Sequence, residues 1–126
     1  PVSVNFEKID RALSQLQKAV SLESPSDLER DGAIQRFEYS IELLWKTAKK
    51  TLEENGVPAV TPKDVIREMA NAGWINNPAD FLGYLKLRNE TSHTYDEKKA
   101  IEVFERSKDF ARDCEILVQI LKEKSK

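Results

Sequence analysis

The chain is poor in the residues that most often carry chemistry. Its 126 residues include one cysteine, Cys114, and one histidine, His93. A single cysteine excludes an internal disulfide and fits a reducing compartment. With one His, one Cys and no carboxylates at ligand spacing, the expectation is that neither a metal nor a cofactor is used. Four Gly, five Pro and few clusters of β-branched residues argue against a sheet-rich fold. No apolar run approaches the ~20 residues a membrane span requires, and the Pro1 end shows no signal-peptide pattern, so a cytoplasmic protein is expected. Net charge is also small: 20 Lys+Arg stand against 22 Asp+Glu, a formal balance of -2. A nucleic-acid partner would have to be met by a local patch, because the whole molecule has no basic field.

What is present is helical periodicity, in a chain of single-domain length expected to form one unit over residues 1–126. Phe6, Ile9, Leu13, Leu16 and Val20 recur at spacings of three and four and predict a first helix from about Ser3 to Leu22. Ser24-Pro25-Ser26-Asp27, Thr61-Pro62-Lys63-Asp64 and Asn77-Pro78-Ala79-Asp80 each set a capping side chain before proline, with aspartate two places on. That pattern marks helix starts: an N-cap, a proline whose missing N–H costs nothing there, and an acid near the positive end of the dipole. In the first, Ser26 with Glu29 offers an alternative capping box.

The second helix is expected from about Asp27 to Glu54, with Ile34, Phe37, Ile41, Leu44, Ala48 and Leu52 inward, Tyr39 and Trp45 widening that face, and Gly56 as its stop. Gly32 is a candidate for an early bend, and Lys46, Lys49 and Lys50 read as a solvated last turn. Trp45 is read as core or flank packing in preference to a ligand-stacking ring. A short third helix runs from Pro62 to about Ala72, ended by Gly73. The fourth starts at Pro78 with Phe81, Leu82, Tyr84 and Leu85 inward; Gly83 within it hints at close approach by another helix. The fifth carries Ala100, Phe104, Ser107, Ala111, Cys114, Val118 and Leu121, broadened by Ile101, Val103, Phe110, Leu117 and Ile120, with Cys114 read as core. Four substantial helices, one short helix and short connections predict an all-α, antiparallel up-and-down four-helix bundle with one extra short helix.

The stretch from Arg88 to Tyr95 concentrates a permanent cation, the only histidine and a phenol. Histidine takes and gives protons near neutral pH, and arginine offers a planar fork of donors suited to phosphate, so the pairing suggests phosphate-ester chemistry or phosphate binding. In a continuous helix five residues rotate the chain by about 500°, which would aim Arg88 and His93 about 140° apart. Thr94 and Glu97 form a capping-box pair that predicts a break, with Thr91 to His93 as the turn and the fifth helix starting at Tyr95, so that Arg88 and His93 are expected to converge on one site. A hydrogen-bonded linker histidine and a carbonyl-capping arginine are the alternative reading of the same residues. Cleavage of a phosphodiester by the RNA 2′-hydroxyl needs one proton removed and another delivered, commonly by two groups. One chain supplies one histidine, so this chemistry would ask for a two-fold dimer with two Arg88/His93 pairs across a shared groove.

Phe37-Glu38-Tyr39-Ser40-Ile41-Glu42-Leu43-Leu44-Trp45-Lys46, together with Arg88-Asn89-Glu90-Thr91-Ser92-His93-Thr94-Tyr95-Asp96-Glu97, resembles the nucleotidyltransferase substrate-binding proteins of the HEPN superfamily, over nearly the whole chain. The resemblance implies a helical bundle that forms a homodimer and associates with a separate minimal nucleotidyltransferase, as a toxin and antitoxin pair. In toxic members the arginine and histidine cleave RNA without a metal. By that resemblance Arg88 would stabilise the phosphate, His93 would be the acid/base, Asn89 would support them, and Tyr95 would be the tyrosine that the partner modifies with AMP. The chain lacks the glycine-serine loop and paired aspartates of the nucleotidyltransferase, so it would not be that enzyme itself. A noncatalytic subunit that presents substrate to the nucleotidyltransferase is the rival reading.

Overall fold

The computed structural model describes residues 4–125, and these form helices without strands. The helices are α1 (Glu7–Val20), α2 (Asp27–Glu54), α3 (Pro62–Asn71), α4 (Pro78–Glu90) and α5 (Glu97–Lys124), with a 3-10 turn, Thr91–His93, between the last two. None of the described helices is long and apolar enough to cross a membrane.

The caps explain the boundaries. Ser26 and Glu29 exchange side-chain and backbone hydrogen bonds, as do Thr61 and Asp64, so α2 and α3 begin with complete capping boxes. The first Pro-containing signal therefore starts its helix at the box, leaving Ser24-Pro25 outside. Pro78 is the first helical residue of α4, but the Asn77 side chain makes no capping bond to the backbone and instead reaches Asp80 Oδ2 at 3.4 Å. Gly56 and Gly73, at φ 79° and 78°, let Val57 N–H and Trp74 N–H return to the carbonyls of Leu52 and Met69, closing α2 and α3. A side chain at either position would strain that left-handed backbone. The first helix is shorter than its periodicity suggested: it starts at Glu7, whose N–H donates to Asn5 Oδ1, and ends at Val20. Ser3, its expected start, lies outside the described residues. Gly32 passes through α2 without a break.

Cross-links define the directions. Lys122 Nζ meets Asp10 Oδ2 at 2.9 Å and Gln17 Nε2 donates to Glu115 Oε2 at 2.5 Å, so α1 and α5 are antiparallel. At the C-terminal end of α5, Asn55 Nδ2 donates to the Lys124 carbonyl at 3.2 Å and Ser125 Oγ to Glu54 Oε1 at 3.0 Å, so α2 and α5 run parallel. The four long helices thus alternate up and down, and α3 packs on α2 and α4.

Phe37, Phe110, Tyr84 and Phe81 form an edge-to-face aromatic chain, with successive centroids 5.1, 5.3 and 5.7 Å apart, that joins α2, α5 and α4. The Tyr84 hydroxyl donates to Asp113 Oδ2 at 2.5 Å, so the one polar atom of that chain is satisfied. Buried hydroxyls on the long helices bond back to their own turn, as Ser107 does to Val103 O and Thr51 to Thr47 O, so they enter the core without orphan donors. Cys114 is fully buried, and its thiol is pushed up by desolvation and by the neighbouring carboxylates, as a core residue requires.

Several inward assignments change. Leu87 is fully buried, whereas Leu82 and Leu85 only flank the core. Ile101 is 41% exposed and Tyr39 47% exposed, because each lies at the edge of a stripe where no neighbouring helix covers it. Trp45 packs on the core from a half-buried position. The lysine cluster is not a last turn, since α2 continues to Glu54 and Lys49 pairs with Glu53 four residues on. A Cβ on Gly83 would meet Arg106 Nη2 of α5 at 3.3 Å, so the close approach is made by a side-chain tip, not by backbone.

Removing the ring of Phe110 should cost about 3–5 kcal/mol, since the cavity would sit between two aromatic partners. Urea unfolding of Phe110→Ala checks this, and a loss under about 1 kcal/mol would contradict the packing described. Burial and Asp113 raise the Tyr84 phenol above its ordinary value of 10.0. The fold therefore favours the protonated phenol, and its contribution is complete below pH ~10 and fades as the pH climbs beyond it. Tyr84→Phe should flatten the alkaline limb of the stability curve, read by thermal melts from pH 8 to about 11.

Candidate functional site

The candidate residues lie where α4 ends against the middle of α2. Arg88 is on the last turn of α4, one turn beyond the buried Tyr84 and next to the buried Leu87, so the aromatic chain fixes the height at which its side chain leaves the helix. It faces two carboxylates one turn apart on α2. Nη1 lies 3.4 Å from Glu38 Oε2 and Nε 3.7 Å from Glu42 Oε1. Nε itself is buried without a hydrogen-bond partner, so the guanidinium fork is only partly used within this chain.

The turn follows from local bonds. Thr91 is buried, and its Oγ1 lies 2.7 Å from both Glu38 Oε2 and the Arg88 carbonyl and 3.4 Å from Arg88 Nη1. Thr94 Oγ1 donates to the Thr91 carbonyl at 3.0 Å, which spends the threonine expected to cap α5. Asp96 is the N-cap instead, accepting from Lys98 N–H at 3.0 Å, and α5 starts at Glu97, not Tyr95. The expected turn is present at Thr91–His93, and only the start of α5 is displaced, by two residues, because Thr94 closes that turn.

His93 is exposed at the end of that 3-10 turn, and its Nδ1 lies 3.3 Å from the Tyr95 hydroxyl, either partner donating according to the tautomer. Their rings meet edge-to-face with centroids 5.9 Å apart. Tyr95 is 85% exposed. Asn89 is exposed, and its backbone carbonyl, not its amide, engages the turn by accepting from Ser92 Oγ. The structure thus places the four sequence candidates near one end of α4 but does not join Arg88 to His93 as expected: Arg88 meets α2, His93 meets Tyr95, and the Asn89 side chain is exposed and belongs to neither contact. Thr91 lies between them.

Two grooves open here. One of about 740 Å³ runs between α1 and α2, with Lys8, Arg11, Tyr39 and Arg88 among its lining residues; a second of about 310 Å³ holds Thr91, Thr94 and Tyr95. Gln35 and Glu38 line both. Among the described residues, no three His, Cys, Asp or Glu side chains are arranged to hold a metal ion. Glu38, Glu42 and Thr91 were not singled out by sequence reasoning. The i, i+4 spacing of the two glutamates beside the apolar stripe of α2 was the available signal, but spacing does not say which helix that edge meets.

Comparison with known proteins supplies the wider context. The family model described as nucleotidyltransferase substrate binding protein like matches residues 4–123. A Haemophilus influenzae protein described as "Probable ribonuclease HepT" is 34% identical over 99 residues, which cover 75% of this chain and 68% of the relative. A crystal structure of a Thermus thermophilus protein superposes with a TM-score of 0.87 at 39% identity, covering 90% of this chain and 98% of that one. A Haemophilus influenzae structure, described as revealing the fold of a substrate binding domain of a nucleotidyltransferase, gives a TM-score of 0.84 at 30% identity over 94% of this chain and 99% of the other.

The Arg88–Glu38 pair is about one-third exposed on each side, 35% and 32%, so solvent screens it. A double-mutant cycle on thermal stability should return a coupling under about 1 kcal/mol that shrinks further in high salt.

Proposed function

The chain belongs to the nucleotidyltransferase substrate-binding protein like family, and from that premise we propose that it is the HEPN-type partner subunit of a minimal nucleotidyltransferase, as in toxin and antitoxin pairs. In this reading it acts as a cytoplasmic homodimer of single-bundle chains that cleaves RNA without a metal. The observation that carries the reading is the exposed His93–Tyr95 contact just beyond α4, the helix whose last turn carries Arg88.

In the proposed reaction the ribose 2′-oxygen attacks the adjacent phosphorus and the bond from phosphorus to the 5′-oxygen breaks, leaving a 2′,3′-cyclic phosphate and a 5′-hydroxyl. One His93 accepts the 2′ proton, and the His93 of a second copy delivers a proton to the departing oxygen. Arg88, whose guanidinium is about one-third exposed, stabilises the charge on the phosphate, and the role of Asn89 as a support for the pair rests on the family resemblance alone, its side chain being exposed. Regulation would act on Tyr95, whose oxygen would attack the α-phosphorus of ATP in the partner enzyme, releasing pyrophosphate. The resulting AMP would sit against His93 and add bulk and negative charge beside the phosphate site.

The second reading is a noncatalytic subunit that helps form the substrate site of the nucleotidyltransferase. One observation favours it: Glu38 and Glu42 already face Arg88 within the chain, so an incoming phosphate would compete with two carboxylates.

Protein shown by mass spectrometry to carry no AMP on Tyr95 should cleave single-stranded RNA in EDTA to 2′,3′-cyclic ends. His93→Ala should lower the rate by at least about 100-fold while circular dichroism and melting stay unchanged. No cleavage by the unmodified protein would leave the adaptor reading standing, and cleavage indifferent to His93→Ala would remove the site assignment.

A further inference from the structure

We infer that Glu38 of α2 is a positioning residue that acts through Thr91 to set both the guanidinium of Arg88 and the turn carrying His93. This rests on the ribonuclease reading and names a residue that reading does not use. The two ion pairs of Arg88, each roughly a third or more open to solvent, would hold it only loosely on their own. The single proton of the buried Thr91 hydroxyl has two acceptors at 2.7 Å, Glu38 Oε2 and the Arg88 carbonyl, and the charge on the carboxylate makes the bond to Glu38 the stronger of the two.

Thr91 opens the 3-10 turn that ends at His93, so a carboxylate anchored on α2 holds the turn at its buried first residue while the histidine at its end stays exposed. The same Oε2 faces Arg88 Nη1 at 3.4 Å, and Nη1 in turn lies 3.4 Å from Thr91 Oγ1. One carboxylate oxygen therefore locates an arginine and a turn that belong to different structural elements. Glu38 also lines both the groove that contains Arg88 and the groove that contains Tyr95, so it stands where the two halves of the site meet. Asn89, although adjacent to Arg88 in sequence, has its exposed side chain outside this set of contacts.

Thr91→Val keeps the side-chain volume and deletes the hydroxyl, while Thr91→Ser keeps the hydroxyl and deletes the methyl. On unmodified full-length protein cleaving single-stranded RNA in EDTA, Thr91→Val and Glu38→Ala should each lower kcat by about 10- to 100-fold with KM changed less than about threefold. Thr91→Ser should retain most of the rate. A packing role would reverse the order of the two threonine variants, and a direct phosphate-binding role would appear in KM; either result overturns the inference. The same variants are to be followed by amide hydrogen exchange, which needs no activity. Exchange across residues 91–96 should quicken by about tenfold in Thr91→Val relative to Thr91→Ser, with the centre of α5 unchanged. If unmodified wild-type protein cleaves nothing, the ribonuclease reading falls, and equal exchange in the two threonine variants would then sink the anchoring role as well.

Discussion

The placement of α4 is the constraint on which the site depends. This helix has a narrow apolar edge, Phe81, Tyr84 and Leu87, and the edge-to-face chain through Phe110 to Phe37 gives that edge a defined seat on α5 and α2. Edge-to-face contacts constrain rotation as well as distance, because the positive ring edge must meet a negative face. The Tyr84–Asp113 bond closes the arrangement by satisfying the phenol at the boundary of the core. With α4 seated, Arg88 has no freedom of height or azimuth beyond its own rotamers, and it meets α2 at Glu38 and Glu42.

The site is organised around partial use of strong donors and acceptors. Arg88 has an unpartnered Nε, Glu38 accepts from a buried hydroxyl while facing a cation, and the exposed His93 ring meets the neighbouring phenol. Such a set differs from a closed structural network, in which each buried donor finds its acceptor. It also separates tasks. The buried side of the turn, through Thr91, is held to the scaffold, and the exposed side presents the histidine and tyrosine outward. A proton-transfer group that must meet a substrate, or a second copy of the chain, needs that outward presentation.

Much of this was legible in the chain. The 3-4 periodicity, the alternative capping box at Ser26 and the cap-proline-acid pattern at Thr61 located α2 and α3 to within a residue or two, because a cap is a local contract between neighbours in sequence. The glycines at 56 and 73 ended their helices for the same reason. Local rules failed where two local partners competed. Thr94 could cap α5 or close the turn behind it; it closes the turn, and Asp96 takes the cap. Edge residues such as Ile101 and Tyr39 were misjudged because the width of a buried stripe depends on how many helices cover it.

By itself the sequence determined that the protein is a helical bundle, where its helices break, and that Arg88, His93 and Tyr95 fall at one such break. These follow from interactions spanning three to five residues, which the order of side chains specifies directly. Only the tertiary structure decided that Arg88 is met by Glu38 and Glu42, that Thr91 is buried between α2 and α4, and that His93 turns toward Tyr95 in place of Arg88. Glu38 and Arg88 lie fifty positions apart. What brings them together is the burial of Phe37, Tyr84, Leu87 and Phe110, whose apolar surface carries no record in sequence of which charged neighbours will be drawn in beside it.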